Sequence, residues 1–161
     1  MEKRKLLLTM LKYKLYFYVF LFFFLSTLTI ATLIQTVILP YLIPSLHGGN
    51  GLLIGGDWLG FHLYALELKE LVETNGWGSF NIRWRGQGPV GLAGFFYLIF
   101  FPKPLALLPL NCFFHSLGGI VVFIILSNLT KNKIACFVGS LFYVFFPSSL
   151  LFYTQIHKDV F

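Results

Sequence analysis

A chain of 161 residues that is 57% apolar and 19% aromatic but only 11% charged departs from a soluble domain, in which about a quarter of residues are charged. A soluble fold of this size has no interior for 20 Phe, 8 Tyr and 3 Trp, so composition excludes an ordinary cytosolic domain, a disordered chain and a disulfide scaffold, and leaves an integral membrane protein. The formal charge is +6, and five of the cations (Lys3, Arg4, Lys5, Lys12 and Lys14) stand before residue 15 against a long apolar run. That placement is a membrane-orientation signal rather than a nucleic-acid surface.

Residues 1–14 read as a cytoplasmic terminus. Residues 15–39 carry no charge and are long enough to cross a hydrocarbon core of about 30 Å, so they form the first span. Their apolar stretch is too long for a cleaved signal peptide, and no A-x-A site follows. Residues 40–103 form an outer loop. Its first part, 40–56, holds two Pro and five Gly and is expected to end the helix and run as loop. Residues 57–75 then read as an amphipathic juxtamembrane helix, with Phe61, Tyr64, Leu68 and Leu71 on one stripe and Asn75-Gly76 as its stop. Such a helix lies on the interface rather than crossing it.

Trp77, Arg83, Trp84 and Arg85 follow in a loop suited to headgroup level. Residues 88–101 are apolar but too short to span, which predicts an interfacial or re-entrant segment. Residues 104–130 and 134–156 are charge-free second and third spans, joined by a basic cytoplasmic turn at 131–133, with Pro147 a tolerated kink. Residues 157–161 emerge outside. The expected fold is therefore an all-α integral membrane module of three transmembrane helices, with an extracytoplasmic amphipathic helix and a short interfacial segment. Every short, basic, acid-free segment then lies inside, as the positive-inside rule requires. If 88–101 spanned instead, Lys131 and Lys133 would fall outside. Cys112 and Cys136 sit in apolar segments without metal-ligand spacing and read as small buried residues, and His62 and His115 read as packing or hydrogen-bonding residues.

This topology puts Asp57 and Asp159 on the outer face just beyond spans, with Arg83, Arg85, His157 and Lys158 near them. A carboxylate can serve as a general base toward a hydroxyl or amine, and Arg or Lys can hold a lipid phosphate. Plainer readings stand beside these. Asp57 after Gly55-Gly56 could be a helix N-cap, Lys158-Asp159 a solvated pair at a helix end, and Arg83 and Arg85 headgroup anchors.

The order of parts carries a resemblance. A basic N-terminus and one span lead to an outer loop with an early Asp in GGDWLGFHLYALEL. A juxtamembrane helix, a Gly/Pro-interrupted apolar segment, two spans on a basic turn and an outer HKD follow. The chain resembles the N-terminal portion of GT-C glycosyltransferases, multi-pass enzymes that move a sugar from a polyprenyl-phosphate carrier, such as protein O-mannosyltransferases and lipid A aminoarabinose transferases. The resemblance implies that Asp57 is the catalytic base of the first outer loop and that Asp159, after Lys158, is the second acidic residue, placing the acceptor or helping to bind a divalent metal ion if one is used. It makes Arg83, Arg85 and Lys158 candidates for holding the donor phosphate, beside His157 as a further candidate substrate-binding residue. It also implies a plasma-membrane protein with a lipid-linked sugar donor and surrounding lipids as partners and no nucleic acid. Because family members have many more spans, it implies that this sequence is an N-terminal fragment of a larger polypeptide. The competing expectation is a non-enzymatic multi-pass subunit or assembly factor.

Overall fold

A computed structural model describes the backbone of residues 2–157 and the side chains from residue 10 onward. The chain is mostly helical. Helix α1, Glu2–Leu33, runs on without interruption as a π-helical segment, Ile34–Leu42. The expected stop at residue 39 is therefore corrected, because Pro40 lies inside the helix. A proline ring collides with the carbonyl four residues back in an α-helix. The turn here is π-helical, with Ile43 N–H bonded five residues back to Ile38 O at 2.9 Å, and this wider winding accommodates the ring.

The buried face of this helix is a single row at every fourth residue: Val19, Phe23, Thr27, Ala31, Gln35 and Leu39. Such a row is the ridge that packs into a neighbouring helix. The neighbour is α4, Leu108–Leu129, entered through a 3₁₀ turn at Pro104–Leu107. Thr27 Oγ1 and Ser116 Oγ meet across the pair at 3.3 Å. Gly119 lets the backbones close up, since a Cβ there would stand 2.7 Å from Val144 and 2.9 Å from Phe23. Helix α5, Lys133–Phe145, is capped by Asn132, whose Oδ1 accepts the N–H groups of Ile134 and Ala135. Helix α6, Pro147–Thr154, follows after a bend of 60°. The expected single third helix with a tolerated kink is thus two helices, because Pro147 begins a new helix and cannot continue α5.

Two helices are long and apolar enough to cross a membrane, Met10–Leu42 and Pro104–Leu129, and there are three if the bent pair α5–α6 counts as one. The expected all-α fold gains a two-stranded antiparallel hairpin, β1 His47–Gly49 and β2 Leu52–Leu53, inside the expected loop. Its turn residues Asn50 and Gly51 both have positive φ, 53° and 79°, which suits a tight hairpin turn.

Helix α2, Asp57–Asn75, ends as expected at Gly76, whose φ is 81°. Its buried face differs from the expected stripe: it consists of Phe61, His62, Ala65, Leu68 and Val72. Tyr64 is exposed and Leu71 half-buried. Two of the four expected residues, Phe61 and Leu68, lie on the buried face, and Tyr64 and Leu71 flank it, because α3, Gly88–Ile99, packs against the side carrying Leu68, which a Cβ on Gly94 would meet at 2.7 Å. Leu52, Phe61, Ala65, Val90, Ala93 and Tyr97 form the core of this second unit, and Leu107 and Ile156 tie it to the helical bundle.

Candidate functional site

Asp57 opens α2, directly after Gly55-Gly56. It is not an N-cap: Gly56 holds that position, and no side-chain cap bond forms. The carboxylate is exposed and lies in the first helical turn, where the partial positive charge of the N–H groups favours an anion.

Asp57 lines two recesses. The larger, about 630 Å³, is shared with Tyr64, Arg85 and Gln87. The smaller, about 260 Å³, is shared with Trp58, Ile156 and His157. The structure therefore brings Asp57 together with Arg85 on one side and with His157 on the other.

Arg85 is held where it is by its backbone and its partners. Its φ is 54°, in the left-handed region. Its guanidinium grips Glu67, with Nη2 at 2.6 Å from Oε1 and Nε at 3.3 Å from Oε2, and lies 5.2 Å from the centre of the Tyr64 ring. The hydrogen bond from Arg85 holds the Glu67 carboxyl below its ordinary pKa, and Glu67 in turn raises that of Arg85. Much of the charge of Arg85 is thus already answered within the chain. Arg83 stands on the same exposed turn, its backbone N–H donating to Asn81 Oδ1 at 2.8 Å, and lines neither recess. The ring of His157 lies 6.3 Å from Trp58 and edge-on to Phe152 at 4.9 Å. Lys158 and Asp159 lie outside the described residues.

Sequence reasoning passed over four residues here. Trp58 Nε1 donates to Leu53 O at 2.6 Å, and Leu53 N donates to Gln155 Oε1 at 3.0 Å. Gln35 Nε2 donates to Thr154 O at 2.6 Å, and Asn111 Nδ2 donates to Gln155 O at 2.9 Å. The available signal was the presence of amide side chains in otherwise apolar stretches, where a polar group must find a partner.

Behind the site, His62 Nδ1 meets the Tyr97 hydroxyl at 2.7 Å and its Nε2 meets Asn50 Nδ2 at 3.1 Å. Burial pushes the pKa of His62 down and that of Tyr97 up. Both expected histidine roles are seen: His62 in this buried link, and His115 hydrogen-bonded to Val144 O at 3.0 Å between the rings of Tyr143 and Tyr153. Cys112 and Cys136 are buried. Among the described residues no three His, Cys, Asp or Glu side chains converge as metal ligands would. No protein-family model, no curated protein and no solved structure matches the chain.

Proposed function

We propose that this chain is a membrane glycosyltransferase of GT-C type, or the N-terminal part of one, that transfers a sugar from a polyprenyl-phosphate donor to an acceptor on the outer face of the membrane. The supporting observation is the position of Asp57, a carboxylate in the wall between two recesses, one holding a cation and the other the segment that leads into Lys158 and Asp159. In this reading the N-terminus is cytoplasmic, α5 and α6 together make the third span of a plasma-membrane protein, and α2 and α3 lie at the outer interface.

The reaction is a direct displacement. The acceptor hydroxyl approaches Asp57, which takes its proton. The acceptor oxygen forms a bond to the anomeric carbon as the bond from that carbon to the phosphate oxygen breaks. The electron pair leaves on the polyprenyl phosphate, whose charge the basic residues of the outer loop and Lys158 stabilise. Arg85, already paired with Glu67, serves this role less directly than Arg83 or Lys158, and would do so as part of an oriented network.

The test is Asp57→Asn in the full-length protein, assayed for transfer from a radiolabelled polyprenyl-phosphate sugar in membrane vesicles. Loss of a general base predicts a fall of about 100-fold or more in rate with unchanged membrane insertion. A variant that retains its transfer rate refutes the role of Asp57.

A further inference from the structure

Helix α6 stops at Thr154, which leaves the carbonyls at its end without helical donors. Two amides from other helices take them: Gln35, from the π-helical end of α1, binds Thr154 O, and Asn111, from α4, binds Gln155 O. The side chain of Gln155 points the other way. It is 1% exposed, and its Oε1 receives the Leu53 N–H. The carbonyl of the same Leu53 receives the indole N–H of Trp58, the residue after Asp57. One continuous chain of hydrogen bonds thus runs from α1 and α4 through Gln155 and β2 to the start of α2. Two residues beyond Gln155, His157 faces Trp58 across the smaller recess.

We propose that Gln155 is a positioning residue: acting through Leu53 and Trp58, it fixes the spacing between Asp57 and His157. Residues 155–157 form no helix or strand, and Ile156 packs into the apolar core. The amide oxygen of Gln155 gives a directional link from these residues to the hairpin, so its loss loosens the two walls of the recess relative to each other. Its weight in catalysis rests on the transferase reading, whereas the clasp itself does not.

The experiment measures that spacing without relying on activity. In the full chain in native membranes, Asp57→Cys is paired with His157→Cys and cross-linked with a short, membrane-permeant bifunctional thiol reagent. Phe22→Cys with Phe137→Cys, whose native rings are 5.4 Å apart, reports the integrity of the bundle. Gln155→Leu is expected to slow the 57–157 cross-link about tenfold or more, the size expected for one buried hydrogen bond, with the reference pair unchanged. Gln155→Glu, which keeps an acceptor toward Leu53, restores the rate. Trp58→Phe, which keeps the packing but lacks the indole donor, slows it in the same sense. Native rates in both Gln155→Leu and Trp58→Phe overturn the proposal. So does loss of the reference cross-link in both, since the bonds would then hold the whole bundle rather than this segment. If the pattern holds while Asp57→Asn leaves transfer intact, the transferase reading falls and the clasp stands. If Asp57→Asn abolishes transfer but cross-linking ignores Gln155, the clasp falls alone.

Discussion

Gly51→Ala probes how tightly the hairpin docks on the first helix. Gly51 carries φ of 79°, which costs an L-residue about 1–2 kcal/mol. It also abuts the π-helical segment: a Cβ would stand 2.7 Å from Gln35 Cβ and 2.8 Å from Gln35 O. Carbon atoms pack at about 3.5–4.0 Å, so hairpin and helix would have to part by close to 1 Å. Gln35 cannot yield easily, because its amide is bound to Thr154 O. Overpacking of this kind costs about 1–3 kcal/mol. The sum, about 2–5 kcal/mol, corresponds to a fall in Tm of roughly 4–20 °C for a protein of this size.

Gly55→Ala separates the two contributions. Its φ is 85°, yet a Cβ there meets nothing within 4 Å, so it carries the backbone cost alone, about 1–2 kcal/mol. Thermal unfolding of both variants in detergent, followed by tryptophan fluorescence, gives the comparison. A Gly51→Ala midpoint equal to or above that of Gly55→Ala refutes the close contact between the hairpin and Gln35.

Two further outcomes are expected. Burial lowers the pKa of His62 below its ordinary 6.5, so the unfolded chain binds a proton that the folded one refuses; stability is full above that value and falls as pH drops below it toward the folded pKa. The titratable group facing the ring, Tyr97, is pushed upward by burial and stays neutral there. His62→Phe therefore flattens the dependence of Tm on pH between about 7.5 and 5.5, a window around the ordinary histidine pKa, and an unchanged slope contradicts the assignment. For topology, an impermeant maleimide labels Arg83→Cys on intact cells and Lys131→Cys only after permeabilisation; labelling of both from one side rejects the proposed arrangement.

The parts legible in the sequence are those set by length and punctuation. The first and second apolar runs stand out because nothing charged interrupts them, and α2 is bracketed by Gly55-Gly56 and Asn75-Gly76, which fixed both of its ends. The hairpin was hidden because His47-Gly48-Gly49-Asn50-Gly51 has too little side chain to show a period of two. The extension through Pro40 was hidden because a π turn has no sequence signature that outweighs a proline. The face of α2 depends on where α3 lands, which is a tertiary fact. As for the site, the sequence suggested that the start of α2 and the end of the third apolar run lie near each other, and the described part of that pairing is Asp57 with His157. It gave no sign that Glu67 occupies Arg85, because the two are 18 residues apart with no fixed spacing.

The break between α5 and α6 and the early end of α6 are costly features. A straight helix would satisfy its own backbone throughout, which is the strongest constraint on a chain in lipid. At the end of α6, Gln35 and Asn111 serve the carbonyls of Thr154 and Gln155, and in doing so they leave Gln35 Oε1 and Asn111 Oδ1 buried without a partner among the described residues. Each unpaired buried acceptor costs about 1–3 kcal/mol. Apolar residues at positions 35 and 111, together with a continuous helix, would remove that cost. A sequence that instead keeps three amides, Gln35, Asn111 and Gln155, around one unwound turn holds that turn against local stability. Such conflicts gather where function needs a particular geometry, and this one directly precedes Ile156 and His157, which line a recess with Asp57.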